Sequence, residues 1–116
     1  MSLIVSCATV EIQRQSKPYE EHGIIIRVID IDQEYLSYLY EYNLAKLYYE
    51  VINNSNKEYS SYRVLIEVTC KDESRFTTWT SGSTVPAGMR ITDYTYVDTA
   101  GRMVISSEVK TIRVLE

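Results

Sequence analysis

The sequence predicts an all-β fold, a single antiparallel β-sandwich of about seven to eight strands that spans residues 1–116. Three observations support this prediction. Apolar residues alternate with polar ones at a period of two, which is the side-chain period of a strand. Clusters of Asn, Ser, Gly and Pro separate the alternating runs and mark turns. A length of 116 residues suits one domain.

The N-terminal third of the chain predicts two strands and leaves one stretch open. Ser2–Arg14 contains a strand that ends near Arg14, and a polar loop follows over Gln15–Gly23. Ile24–Ile31, rich in Ile and Val, is the second strand. Asp32–Leu44 fits either a strand, in which Tyr alternates with Leu and Glu, or a helix with leucines at helical spacing. A sandwich favours the strand.

The central stretch, Leu47–Asp72, organises the prediction. Leu47, Tyr49 and Val51 fall on one face of a first strand, and an Asn-rich turn follows. In the run Tyr62–Lys71, four compact apolar residues share one face: Val64, Ile66, Val68 and Cys70. The sequence therefore predicts two strands around the turn, in a sheet that is covered on one side.

Three further strands complete the prediction: Arg75–Thr80, Met89–Val97 and Met103–Val114. Ser81-Gly82-Ser83, Pro86-Ala87-Gly88 and Thr99–Arg102 supply the turns before or between them. The terminal Leu115-Glu116 resembles residues left by a cloning vector, so no function is attached to it.

The order YYEVINNS…SSYRVLIEVTCKD…W…VPAGMRITDYTYVD resembles the FxLYD-type domain, an immunoglobulin-like β-sandwich of bacterial surface lipoproteins and secreted proteins. The shared features are the Asn54-Ser55 turn, the long strand of Tyr62–Asp72 and the turn at Pro86-Ala87-Gly88. The similarity covers Leu47–Val114, and Asp72-Glu73-Ser74 departs from the family's Asp-Gly turn. The resemblance implies an immunoglobulin-like fold and an extracellular address, but no activity.

The two cysteines, Cys7 and Cys70, leave three chemical states open. Ile4-Val5-Ser6-Cys7 fits the end of a lipoprotein signal, with Cys7 as the site of lipid attachment, although no basic and apolar leader precedes it. A Cys7–Cys70 disulfide would suit a secreted chain. Free, buried thiols would suit the cytoplasm. We therefore expect a lipid-anchored surface protein or a secreted one, with the cytoplasm as the alternative.

Eleven tyrosines against one Trp and one Phe are the most unusual feature of the composition. Tyrosine fits partly exposed sheets, and it is also enriched at interfaces. The sequence thus offers ordinary sheet packing or an aromatic recognition surface, with Tyr38, Tyr40, Tyr94, Tyr96 and Trp79 as candidates. Trp79 itself is expected in the core or between strands, with a solvent-facing binding role as the alternative.

The sequence favours a non-enzymatic module over an enzyme. Asp30, Asp32, Glu34 and Glu41 match a calcium-loop register, but Tyr35 occupies the position that requires Gly. His22 is the single histidine, and no cofactor or metal site is predicted. A net charge of −4 without a basic cluster excludes nucleic acid as the expected partner, and no apolar run suits a membrane span.

Two functions follow as expectations. The first is a structural or protein-interaction module at the cell surface or in secretion, with a homodimer through an open edge strand as one form of partnership. The second is a small-ligand or carbohydrate-binding module that uses exposed Tyr and Trp side chains.

Overall fold

The computed structural model describes residues 11–33 and 44–116. Every strand within these ranges pairs antiparallel, and the strands form two sheets packed against each other. The seven strands are β1 (Tyr19–Glu21), β2 (Ile24–Asp32), β3 (Leu44–Asn53), β4 (Ser61–Cys70), β5 (Arg75–Gly82), β6 (Arg90–Asp98) and β7 (Val104–Leu115). The order is β1-β2-β3-β6 in one sheet and β5-β4-β7 in the other. The predicted all-β sandwich is confirmed.

The core lies between the sheets and is built from the inward positions of the alternating strands. Their period of two places one set of side chains in the core and the other in solvent. On β2 and β3 the fully buried apolar residues are Ile24, Ile26, Val28, Ala45, Leu47, Tyr49 and Val51; the compact ones on β4 are Val64, Ile66, Val68 and Cys70. The faces predicted for Leu47–Val51 and for Tyr62–Lys71 are therefore confirmed.

The largest fully buried side chains in this core are two tyrosines that meet across the sandwich. The hydroxyl oxygens of Tyr49 on β3 and Tyr62 on β4 lie 2.9 Å apart and share a hydrogen bond. Their rings meet edge to face, with centroids 6.4 Å apart. This bond satisfies polar groups that burial would otherwise leave unpaired, so the pair can fill the centre of the core.

The two central strands, predicted as neighbours around a turn, belong to opposite sheets. β3 pairs with β2 and β6, whereas β4 pairs with β5 and β7. The turn after Asn53 carries the chain across the sandwich, and Tyr59 makes an isolated bridge to Val85 on the way. The inward faces of both strands are apolar because each faces the other sheet across the core.

The boundaries of the N-terminal elements differ from the prediction. The short strand β1 lies within the stretch predicted as a polar loop, where Tyr19 and Ile26 are cross-strand partners. Residues 11–14 form no strand, and the rest of the predicted first strand lies outside the described residues. The choice between strand and helix for Asp32–Leu44 concerns mainly residues 34–43, which also lie outside the described residues. β2 extends to Asp32 and β3 begins at Leu44.

Candidate functional site

The outer face of the four-stranded sheet carries a cluster that we call the tyrosine face: Lys46, Tyr48, Tyr94 and Tyr96. Lys46 and Tyr48 lie on β3, directly opposite Tyr96 and Tyr94 on β6. Because Leu47, Tyr49 and Val51 point into the core, the residues between them point outward. The strand period and the register together therefore bring the four side chains to one place.

The Lys46 ammonium holds the tyrosine face together. Its Nζ lies 4.2 Å from the ring centroid of Tyr94, 4.9 Å from that of Tyr48 and 6.0 Å from that of Tyr96. Such cation–π contacts contribute roughly 0.5–1 kcal/mol each at exposed sites. A hydrogen bond with Tyr48 is the main cause that raises the pKa of Lys46, so the ammonium stays charged at neutral pH.

Two of the three rings of the tyrosine face are exposed, Tyr48 is half-buried, and the rings are inclined to one another. Tyr94 is 48% exposed and Tyr96 is 41% exposed. Their planes are inclined by 76° with centroids 5.7 Å apart, and Tyr48 and Tyr94 are inclined by 55° at 6.3 Å. The face therefore presents ring edges and hydroxyl groups as well as ring planes, rather than one flat stacking platform.

Next to the tyrosine face, Glu50 is already paired with two arginines of the same sheet. Glu50 on β3 accepts a hydrogen bond from Arg27 at 2.7 Å, and Arg90 lies 3.7 Å from its other oxygen. The Glu50 side chain is itself nearly buried. The exposed aromatic cluster is thus bordered by satisfied polar groups, which is the anatomy of an apolar interface centre with a polar rim.

Trp79 lies on the outer face of the other sheet, so the prediction that placed it in the core is wrong. Its side chain is 39% exposed. Phe76, Thr78, Thr80 and Gly82 occupy the inward positions of β5, which leaves Trp79 outward. The space that a tryptophan would have filled belongs to Tyr62, whose ring packs over Gly82.

Two guanidinium groups lie over the Trp79 ring. The Cζ atoms of Arg63 on β4 and Arg113 on β7 are 4.9 Å and 5.0 Å from its centroid. We call these three residues the Arg–Trp cluster. The solvent-facing alternative for Trp79 is the one that the geometry favours.

The candidate residues from the sequence thus fall on two separate surfaces. Tyr94 and Tyr96 lie on one outer face of the sandwich and Trp79 lies on the opposite one, while Tyr38 and Tyr40 lie outside the described residues. Sequence reasoning missed Lys46 and Tyr48 as site residues. The alternation around Leu47 already placed them outward, but their proximity to β6 depends on a long-range register.

A cavity of about 570 Å³ lies at the end of the sandwich beside Tyr48. Its polar side chains bond to the protein itself. The Arg14 guanidinium donates hydrogen bonds to the Asp30 carboxylate and to the carbonyl of Ile31. The Gln33 side-chain amide donates to the Thr99 hydroxyl and to the carbonyl of Arg102. Its oxygen accepts a hydrogen bond from the Val104 N–H. These hydrogen bonds tie strand ends together, so the cavity offers few converging polar groups to a ligand.

Cys70 is a buried free thiol on the inward face of β4. Burial raises the pKa of this thiol, which disfavours the thiolate that nucleophilic chemistry needs. The predicted place of Cys70 on the apolar face of its strand is therefore confirmed. Cys7 lies outside the described residues, so its lipidation and its pairing with Cys70 stay predictions.

Within the described residues, no group of three or more His, Cys, Asp or Glu side chains could hold a metal ion. His22 occupies a turn at a positive φ of 58°, where its carbonyl accepts a hydrogen bond from the Tyr59 hydroxyl at 2.9 Å. His22 therefore has a structural place in the turn. No helix with the length and hydropathy of a membrane crossing occurs in residues 11–33 and 44–116.

Three comparisons with known proteins complete the description of the site. No protein-family model matches the chain, and neither the curated proteins nor the solved structures yielded a match.

Proposed function

We propose that this chain is a non-enzymatic interaction module that binds a protein partner through the tyrosine face. The observation that carries the proposal is the exposure of two large aromatic side chains, Tyr94 and Tyr96, held in place by Lys46. A few hot-spot residues carry most of the binding energy at protein interfaces, and Tyr is among the residue types enriched in them. Fixing the rings before binding lowers the entropy that association would otherwise cost.

The inclination of the rings favours a protein partner over the alternative of a carbohydrate or small ligand. A sugar chain would stack on ring planes that lie side by side, whereas Tyr94 and Tyr96 stand edge to face. Trp79, which would be the natural additional stacking residue, lies on the opposite sheet and cannot join them. An irregular protein surface can use inclined rings, ring edges and hydroxyl groups together.

The place of action and the form of partnership belong to the same proposal. The resemblance to the FxLYD-type domain supports a cell-surface or secreted protein, and lipid attachment at Cys7 would anchor it. Among the strands that the structure describes, β1, β6, β5 and β7 lie at the edges of the two sheets, and any open edge could pair with a second copy. On β6, the carbonyl of Tyr96 already accepts a hydrogen bond from Thr78 at 3.2 Å, which partly occupies that edge.

Site-specific photocrosslinking tests the proposal in the cell of origin. A photoreactive phenylalanine analogue replaces Tyr94 in one variant and Lys71 in a control variant. Lys71 is exposed in the turn that follows β4, on neither outer face of the sandwich. We expect a discrete crosslinked protein from position 94 and none from position 71. The crosslink should be competed by excess wild-type chain, but not by the Y94A/Y96A double variant.

The competing variant must keep its fold for this result to count. Because both rings are exposed, we expect the two substitutions to change the free energy of unfolding by about 1 kcal/mol or less each. Once a partner is identified, Y94A should weaken its affinity by about tenfold or more if Tyr94 is a binding hot spot. Equal crosslinking from positions 94 and 71, or elution of the chain by oligosaccharides alone, would contradict the proposal.

A further inference from the structure

The arginines of this protein divide into two groups by their partners. All of them lie within the described residues. Arg63 and Arg113 form no ion pair with any described carboxylate, although the chain carries a net charge of −4. The remaining arginines each form one: Arg14, Arg27, Arg75, Arg90 and Arg102. The two exceptions are also the two that lie over Trp79.

Arg63 and Arg113 face each other directly across the β4–β7 ladder. Like charges at opposed positions of a sheet destabilise it, and a carboxylate between them would normally relieve the repulsion. Glu21 interacts electrostatically with Arg113, but it forms no ion pair with it, and its Oε1 accepts the Ile112 N–H at 2.9 Å and the Tyr19 hydroxyl at 3.0 Å. The repulsion between the two guanidinium groups is thus offset only in part, with no described carboxylate within ion-pair distance of either.

Trp79 gives both guanidinium groups a common support. The two Cζ atoms lie at similar distances from the ring centroid, 4.9 Å and 5.0 Å. Stacking on an aromatic ring leaves the N–H edge of a guanidinium free to donate, and that edge matches a carboxylate with two parallel hydrogen bonds. All three side chains are exposed, so an incoming group can reach them.

We propose that the Arg–Trp cluster is a binding site for a carboxylate of an acidic segment in a protein partner. The carboxylate would take hydrogen bonds from Arg63 and Arg113 and neutralise their repulsion. Charge complementarity selects an anion over a neutral sugar, and the planar fork of a guanidinium group matches a carboxylate. The site lies on the sheet opposite the tyrosine face, so it stands or falls independently of the proposed function.

Trp79 is the single tryptophan of the chain, so its fluorescence reports on this site directly. The probe is a hexaglutamate peptide, titrated into the full chain and its variants at low salt, with calorimetry as a second readout. We expect a saturable fluorescence change. R63Q and R113Q should each weaken the apparent affinity by about tenfold, the loss typical of one hydrogen bond to a charged group.

The matched control is R75Q, which removes the same charge from the outward face of β5, where Arg75 pairs with Glu67 at 3.9 Å. It should leave the affinity within about twofold, because an exposed, paired charge contributes little. Circular dichroism of all three variants checks that they fold. Binding of the wild type should weaken as salt rises, since exposed charges are screened over about 10 Å at 0.1 M salt.

Three results would overturn this proposal. Equal weakening in R75Q would show general attraction to a charged surface rather than a site. Binding of an oligogalacturonate in place of hexaglutamate would make the occupant an acidic glycan. The absence of any response in both fluorescence and calorimetry would mean that the cluster does not bind carboxylates.

Discussion

Replacing the buried Asn53 by alanine should lower the free energy of unfolding by about 2–4 kcal/mol. Asn53 ends β3, and its side chain is fully buried where the chain crosses between the sheets. Its Nδ2 donates to the carbonyls of Lys57 at 2.7 Å and Val85 at 2.9 Å. Its Oδ1 accepts from the Ser55 N–H at 3.0 Å and from the Ser55 hydroxyl at 2.6 Å.

The magnitude follows from these four hydrogen bonds. Each contributes about 1 kcal/mol net, and a buried group left without a partner costs about 1–3 kcal/mol. The substitution would not leave every partner of Asn53 without a hydrogen bond, because the Val85 carbonyl also accepts one from the Tyr59 N–H at 3.2 Å. The Ser55 hydroxyl has a second acceptor in the Lys57 carbonyl at 3.3 Å. These alternatives keep the expected loss well below the sum of four full penalties.

Urea denaturation followed by circular dichroism measures this loss. The midpoint should fall in N53A while the slope stays constant, because the surface exposed on unfolding is nearly unchanged. Asn56→Ala is the matched control: Asn56 is exposed in the same turn, and its replacement should cost less than about 0.5 kcal/mol. If N53A and N56A unfold at the same urea concentration, the reasoning that makes Asn53 the anchor of the crossing is refuted.

Three further predictions concern other parts of the sandwich. A hydrogen bond from the Ile112 N–H is the main cause that lowers the pKa of the Glu21 carboxyl group. This interaction therefore stabilises the fold fully at pH values above the ordinary pKa of 4.5, and the stabilisation is lost as the pH falls below that value. The stability of E21Q should consequently decline less than that of the wild type in this acid range; parallel declines would contradict the assignment. Gly82→Ala should destabilise the fold by about 1–3 kcal/mol, because the added Cβ would overlap the Tyr62 ring. An unchanged midpoint of thermal unfolding would show that the ring moves aside without cost. In a chain with its other cysteine replaced by serine, Cys70 should react with a thiol reagent only after unfolding, and rapid labelling of the native chain would contradict its burial.

The strands of this fold could be predicted because their signal is local. Alternation around Tyr49 and Ile66 marks both strand identity and buried face within a few residues. Strand pairing is different, because it depends on which residues meet across the whole chain. A hairpin between β3 and β4 is the local expectation, whereas the crossing anchored by Asn53 places the strands in opposite sheets.

The position of Trp79 shows how a local preference can mislead. A single tryptophan in a small sandwich is expected in the core because of its size. Here the core centre is filled by Tyr49 and Tyr62, which satisfy each other's hydroxyl groups and leave room only for Gly82 beside them. The alternation of Phe76, Thr78 and Thr80 contained the signal that Trp79 points outward.

The candidate sites were predicted only in part for the same reason. Tyr94, Tyr96 and Trp79 attract attention by residue type alone. The cationic partners depend on register: Lys46 is opposite Tyr96 on a strand far away in sequence, and Arg63 meets Arg113 across the β4–β7 ladder. No local pattern reveals these contacts.

The tyrosine face and the Arg–Trp cluster should therefore function independently. They lie on the outer faces of two different sheets, with the buried core between them, and packed sheets are about 10 Å apart. Effects of substitutions at such separations add when no partner is shared. Y94A/Y96A should leave hexaglutamate binding within about twofold of the wild type, because Trp79 and its arginines touch neither ring. R113Q should likewise leave photocrosslinking from position 94 unchanged. A loss of crosslinking in R113Q would mean that one partner wraps around the sandwich and engages both faces, and the two surfaces would then have to be treated as a single site.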